Sequence, residues 1–218
     1  REERDEKRDA ETLRQHLPAI LGHEGAHEAR LQRLREGEQG DGARPRRRGH
    51  RLADENGKEY TDNDERCIFF ARGVLETIKK LRWTPNIIQC SGWMSSLAPL
   101  YAKKAYADTP FFSGTKIVLS IDNNTYQTPF STKFAQKLLV DGMSSNDVRS
   151  IAGFPIGYEE LMRLAIDYSD AIIFSSPNVN QRIVNYAETS GKPLLPFQEN
   201  NNAAYLDFCN SLLVNKSE

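Results

Sequence analysis

From Thr61 onward the apolar positions of the chain fall into two alternating periods. Cys67, Phe70, Ala71, Val74, Ile78 and Leu81 recur at helical spacing and predict an amphipathic helix running to Arg82, with Thr61-Asp62-Asn63-Asp64 as its capping box. Trp83-Thr84-Pro85 stops that helix, and Asn86-Ile87-Ile88-Gln89-Cys90 follows as a short apolar run of the kind found in a strand buried on both faces. After a turn at Ser91-Gly92, the spacing of Met94, Leu97, Ala98, Tyr101 and Ala105 predicts a second helix, with Lys103 and Lys104 suited to its C-terminal end. Residues 116–122 (KIVLSID) read as a second strand. Residues 123–157 are irregular apart from a helix expected at 132–140, and a segment that long in a compact domain carries function or covers a site.

The alternation then resumes. Tyr158, Leu161, Met162, Ala165 and Tyr168 space a helix, and residues 171–174 (AIIF) form a buried strand. Ser175-Ser176-Pro177 supplies an N-cap followed by proline at the first helical position, which starts a helix running to Ser190 before Gly191. Leu194-Leu195-Pro196-Phe197 is a last strand, and Tyr205, Phe208, Cys209 and Leu212 mark the inner face of a last helix. Strand and helix units of this length predict an α/β fold: a Rossmann-like doubly wound, mainly parallel sheet, helices on both faces, joined by right-handed crossovers. Such sheets bind ligands at the carboxyl ends of their strands, which selects residues 89–93, 122–127 and 175–178. The sequence has neither GxGxxG nor GxxxxGK[ST], so a dinucleotide or P-loop site has no motif behind it.

Composition divides the chain near residue 55. The first fifty residues hold all four histidines and no aromatic residue, and their basic residues are arginines except Lys7; beyond residue 55 histidine is absent and every Phe, Tyr and Trp occurs. Residues 1–55 are therefore expected to be a disordered or loosely helical segment and 56–218 the globular domain, because stretches such as 37–49 (GEQGDGARPRRRG) have nothing to bury against their ordering entropy. The Arg44, Arg46, Arg47 and Arg48 cluster reads as a solvated linker, since no aromatic residue interleaves it to stack on bases. His23-Glu24-Gly25-Ala26-His27 matches HExxH, but Gly22 and Gly25 weaken the helix that would hold two zinc ligands on one face, so the match reads as coincidence and no metal or cofactor is assigned. A formal charge of -1 gives no field toward nucleic acid or an anionic membrane, and no apolar run reaches a membrane span. Three cysteines, odd in number and without CxxC, fit buried thiols in a reducing compartment, so cytoplasm is expected.

Several motifs in order carry a resemblance to the glycogen and starch synthases. Tyr60-Thr61-Asp62-Asn63-Asp64-Glu65-Arg66 leads into a helix with Phe69-Phe70, and Thr84-Pro85-Asn86-Ile87-Ile88 follows. Where that family has His-x-His-Asp-Trp, this chain has Gln89-Cys90-Ser91-Gly92-Trp93; where it has Val-His-Asn and then Tyr-Gln-Gly, Ile121-Asp122-Asn123 is followed by Tyr126-Gln127-Thr128. Residues 166–179 (IDYSDAIIFSSPNV) resemble the family's Tyr-x-x-Ala-Asp-x-Ile and Val-Ser-Pro. Leu17-Pro18 and 25–30 (GAHEAR) echo its Leu-Pro and Gly-His-Glu-Val-Arg, but 31–35 (LQRLR) are too polar for a buried strand and the Lys-x-Gly-Gly loop is missing, so the sheet is expected to be incomplete at its N-terminal edge.

The resemblance implies a retaining GT-B glycosyltransferase that moves glucose from ADP-glucose (or UDP-glucose) to an α-1,4-glucan, of which this chain matches the N-terminal half. It implies Trp93, Asp122, Asn123, Tyr126 and Gln127 as substrate-binding positions. No catalytic residue is carried over, because Ser91, Gly92 and Asp122 cannot reproduce the hydrogen bonding of two histidines and a carboxylate. The expected function is a glycogen or starch synthase-like domain inactive alone. The alternatives are a half-enzyme that works with a partner chain carrying the second domain, or a module that binds glucan or protein.

Overall fold

The computed structural model describes residues 52–54, 56–199 and 202–214. The HExxH match, the arginine cluster and the 17–31 echo lie outside these residues. The chain divides into two units, Arg1–Asn56 and Gly57–Glu218, and the architecture below is that of the second.

Its elements are α1 (Asn63–Lys80), β1 (Ile87–Ser91), α2 (Ala98–Lys103), β2 (Lys116–Ile121), α3 (Phe134–Lys137), α4 (Tyr158–Tyr168), β3 (Ala171–Phe174), α5 (Gln181–Thr189), β4 (Leu194–Leu195) and α6 (Asn202–Val214), with 3-10 turns at Trp93–Ser95 and Ser145–Ile151. The four strands are all parallel in the order β1-β2-β3-β4. The α/β class read from the alternation is what folds: a parallel sheet with helices on both faces. α4 packs between α2 and α5, while α6 lays Leu212, Tyr205 and Phe208 against Val118, Ala171 and Ile173, residues of the opposite sheet face. β3 is buried at every position, as a central strand should be.

β1 departs from the expectation of burial on both faces. Ile88 and Cys90 are buried but Gln89 and Ser91 are exposed, because β1 stands at the edge of the described sheet, with β2 on one side. The face spacing of α1 is close to the reading: Cys67, Ala71, Val74, Leu75 and Ile78 are buried, each such side chain contributing about 1–3 kcal/mol of apolar transfer. Its capping box does not form. Asp62 at the N-cap has φ -99 and ψ 15, close enough to helical that its carboxylate turns instead to Arg66 Nε at 2.9 Å, and Asp64 is taken by other partners. The C-terminal end is a Schellman turn, with Arg82 N–H donating to the Lys79 carbonyl, Trp83 N–H to that of Ile78, and Arg82 itself at φ 50.

The other differences have local causes. The helix expected from Met94 is split, because Pro99 fits a first turn and not an interior, and α2 starts there. The expected 132–140 helix shrinks to the single turn α3, while Phe130 and Ile156 close the long segment with an antiparallel bridge. α5 begins not at Pro177 but at Gln181, since the Asn180 side chain accepts from Arg182 N–H at 2.8 Å and supplies the cap. β4 stops before Pro196, which has no N–H to pair. Lys192 caps α4, its Nζ donating to the carbonyls of Ile166, Asp167 and Ser169.

Gly73 lies inside α1 with no atom within 4 Å of where a Cβ would sit. Gly73→Ala therefore raises stability by about 1 kcal/mol, read as an upward shift of the urea midpoint at unchanged slope.

Candidate functional site

The sheet register brings the three strand ends selected from the sequence side by side. Ser91 pairs with Ser120 and Ile121 with Phe174, and Ser175 N–H donates to the Ile121 carbonyl at 2.9 Å, so residues 91–93, 122–127 and 175–178 leave the same edge of the sheet. Each strand end is then fixed by its own polar side chains. Ser95 Oγ donates to the carbonyls of Ser91 (3.0 Å) and Gly92 (2.9 Å), Ser96 Oγ donates to that of Trp93 at 2.6 Å, and the Cys67 thiol of α1 points at the carbonyls of Trp93 and Met94. Between them Gly92 sits at φ 72 and ψ 164. The only ionisable side chain in Gln89–Trp93 is Cys90, and burial pushes its thiol up to about 12, which leaves it neutral and a poor nucleophile.

Two of the expected site residues meet. Trp93 (2% exposed) and Tyr126 (5%) have ring centroids 5.0 Å apart, and Phe130 stacks on Tyr126 at 4.5 Å with an interplanar angle of 6°. Phe134 and Tyr158 extend this cluster, and Tyr126 Oη donates to the Ile156 carbonyl at 3.1 Å. The rings thus sit in the core beneath the strand ends. Asp122 is half-buried: its Oδ1 accepts from Asn124 N–H at 2.9 Å and its carbonyl accepts from Tyr158 Oη at 3.2 Å, so its carboxylate shapes the turn after β2. Asn123 and Gln127 are exposed.

A cleft that the motifs did not single out opens where the loop after β2 crosses the start of α1. Glu59, Tyr60, Thr61, Asn63, Asp64, Thr128, Phe130, Ser131 and Lys137 are among the residues around a cavity of about 260 Å³, with Tyr126 in its wall. Its charged groups are held in place. Glu59 accepts from the backbone N–H groups of Gln127 and Thr128, both at 2.8 Å, and Lys137 Nζ bridges Asp64 at 2.7 Å and Glu65 at 2.8 Å. These contacts join residues 68 to 73 positions apart, with no local spacing to betray them. The sequence marked its parts separately, Tyr60 to Asp64 as a motif before α1, and Phe130 and Phe134 four residues apart, before and within the predicted helix, with nothing to join them.

Burial raises the pKa of Glu59, but the Gln127 and Thr128 hydrogen bonds outweigh it and hold the carboxyl below its ordinary value. A depressed carboxylate stabilises the fold above its unfolded pKa, and that contribution is lost as pH falls through the folded value. Amide exchange at Gln127 and Thr128 should therefore lose protection, relative to the Phe130 amide, as pH falls from above the ordinary glutamate range through the depressed folded value of Glu59. Glu59→Gln should remove that difference in pH response.

Residues 44–194 match the family model described as starch synthase catalytic domain. Over 90 residues the chain is 44% identical to glycogen synthase of Chlorobium limicola, covering 41% of this chain and 18% of that protein. Over 140 residues it is 34% identical to glycogen synthase of Chlorobaculum parvum, covering 62% of this chain and 26% of the relative. Over 122 residues it is 36% identical to glycogen synthase of Clostridium perfringens, covering 56% and 25%. Among solved structures, the catalytic domain of starch synthase IV from Arabidopsis thaliana, bound to ADP and acarbose, superposes with a TM-score of 0.49 at 16% identity, over 64% of this chain and 30% of that one. The matched stretch thus spans from 18% to 26% of the curated relatives' length. Among the described residues no helix is long and apolar enough to cross a membrane.

Proposed function

The chain belongs to the starch synthase catalytic domain family, and from that premise we propose that its residues 56–218 form the N-terminal half of a glycogen or starch synthase-type glycosyltransferase that does not transfer glucose unaided. The observation that carries the reading is the strand end at Gln89–Trp93. It presents no imidazole and no carboxylate, and it is locked to α1 and to itself by backbone carbonyls. Moving glucose from a nucleotide sugar releases a diphosphate, whose developing charge must be met by fixed donors and cations. The segment Gln89–Trp93 supplies no such cation, and Asp122 adds a negative charge beside it.

On this reading ADP-glucose and an α-1,4-glucan are the ligands of the family site. Asp122, Asn123 and Gln127 are the polar groups offered to the sugar, and Trp93 and Tyr126 support the loop that carries them. The first 55 residues are a separate segment. Buried Cys67 and Cys90 and half-buried Cys209, all free thiols, suit a cytoplasmic protein. The test is release of ADP from ADP-glucose in the presence of glycogen. The isolated chain should give no release above the protein-free rate, and turnover would sink the proposal.

A second reading has one observation in its favour. The three strand ends remain assembled at one sheet edge with Asn123 and Gln127 exposed, so a partner chain carrying the second domain could complete a cleft there. Turnover that appears on adding a separately produced second domain, and not before, would select it.

A further inference from the structure

The inner face of α1 is buried on the domain, and its outer face is laid out as a second, narrower seam. Asp62, Arg66, Phe69, Gly73, Glu76 and Lys80 follow one another at alternating intervals of four and three, the spacing that keeps residues in line when two helices pack along their length. Asp62, Arg66, Phe69 and Lys80 are exposed, and Gly73 and Glu76 are half-buried. Near the middle stands Phe69, 80% exposed, the most exposed large apolar side chain among the described residues. Burying its ring is the largest apolar gain this face can supply. One turn further on, Gly73 has no atom within 4 Å of where a Cβ would sit, so the helix surface is notched there.

Knob, notch and charges are ordered so that the face complements itself. Two copies of α1 laid antiparallel, about a two-fold axis midway between positions 69 and 73, set Phe69 of each copy against Gly73 of the other. The same register sets Asp62 opposite Lys80 and Arg66 opposite Glu76, so every charged position of the seam meets the opposite sign. A parallel pairing would instead put ring on ring and like charge on like charge. On the flank Glu65 falls near Lys79, and only Arg72, beside the axis, faces its own copy, with an exposed side chain long enough to turn aside. The contacts already present leave capacity for this. Arg66 gives Nε to Asp62 at 2.9 Å with its guanidinium 4.6 Å from the Tyr60 ring centroid, and Glu76 accepts from Tyr106 Oη at 2.8 Å. A guanidinium has five N–H donors and a carboxylate about four acceptor positions, so both can take a second partner. Because their present contacts already order them, they lose little freedom on docking.

We propose that the outer face of α1 is a self-association surface that takes a second copy of this chain, antiparallel, with Phe69 seated at Gly73. The test is sedimentation equilibrium of the full chain at concentrations up to about 500 µM. A reversible monomer–dimer equilibrium is expected, with a Kd of about 10–100 µM, the weak end that suits a single helix seam. Phe69→Ser should raise that Kd at least about tenfold while the far-UV circular dichroism is unchanged, because the ring lies outside the core. Asp62→Lys and Lys80→Asp should each raise it at least about threefold, and the two together should bring it back to within about twofold of the wild-type value, a rescue that only their meeting across the seam produces. A monomer throughout the range, a Kd indifferent to Phe69→Ser, or a double reversal as weak as its two single reversals combined would each overturn the seam. Should Phe69→Ser fail to fold, the charge reversals decide. ADP release bears on the functional reading alone, so the two can fail separately.

Discussion

Trp93→Ala should lower the thermal midpoint of the domain by about 6–20 °C, from a loss of about 3–5 kcal/mol at about 2–4 °C per kcal/mol for a domain of this size. Trp93 is 2% exposed, and its ring lies 5.0 Å from Tyr126 and 6.0 Å from Phe130. Removing the indole leaves a cavity bounded by rings that are themselves held from several sides: Tyr126 by its bond to the Ile156 carbonyl, Phe130 by the bridge to Ile156. Such a site collapses poorly, which puts the cost at the high end of large-to-small substitutions. Trp93→Phe keeps most of the apolar volume and should lose less than half as much. Calorimetric scans of the three proteins give the result, and a change of under about 1 kcal/mol for the alanine variant would mean that the ring is not part of the core.

The second large effect is expected at Asp170. Its Oδ2 accepts from the backbone N–H of Ile117 at 2.6 Å and pairs with Lys103 at 2.7 Å, and its own N–H donates to the Ile117 carbonyl. One side chain thus ties the start of β2 to the turn before β3 and to the end of α2. Asp170→Ala leaves a buried amide and an ammonium without their acceptor, a loss of about 2–4 kcal/mol, larger than an exposed ion pair could account for. Asp170→Asn restores a neutral acceptor for Ile117 and should recover about half of it. Chemical denaturation of both variants, with Lys103→Met to isolate the ion pair, separates the two contributions. Equal losses for the alanine and asparagine variants would show that charge, not the Ile117 bond, carries the effect.

Both sites show where the sequence was readable. β2, β3, α1 and α4 follow from local periodicity, because a helix or strand that buries one face or two must repeat its apolar residues at 3.6 or run them together. The position of Asp170 between Tyr168 and a buried strand was visible as a motif, yet its partners Ile117 and Lys103 lie 53 and 67 residues away and no spacing rule reaches them. β1 was read as doubly buried because its five residues look central; edge position is a property of the sheet, not of the strand. The caps differ from what Thr61-Asp62-Asn63-Asp64 and Ser175-Ser176-Pro177 suggest, because Asp62 turns to Arg66 and Asp64 to Lys137, and α5 takes its cap from the Asn180 side chain beyond the proline. The strand-end rule found the three loops that the register sets together. It could not foresee the second cleft, whose walls come from residues before α1 and from α3 and join through Glu59, Asp64 and Lys137.

Gly92 makes the turn after β1 selective for glycine. At φ 72 and ψ 164 it occupies a backbone region that side chains enter only with about 1–3 kcal/mol of strain. A side chain at position 92 would carry that strain or draw the peptide after Ser91 off its present path, which the Ser95 bonds to the Ser91 and Gly92 carbonyls hold.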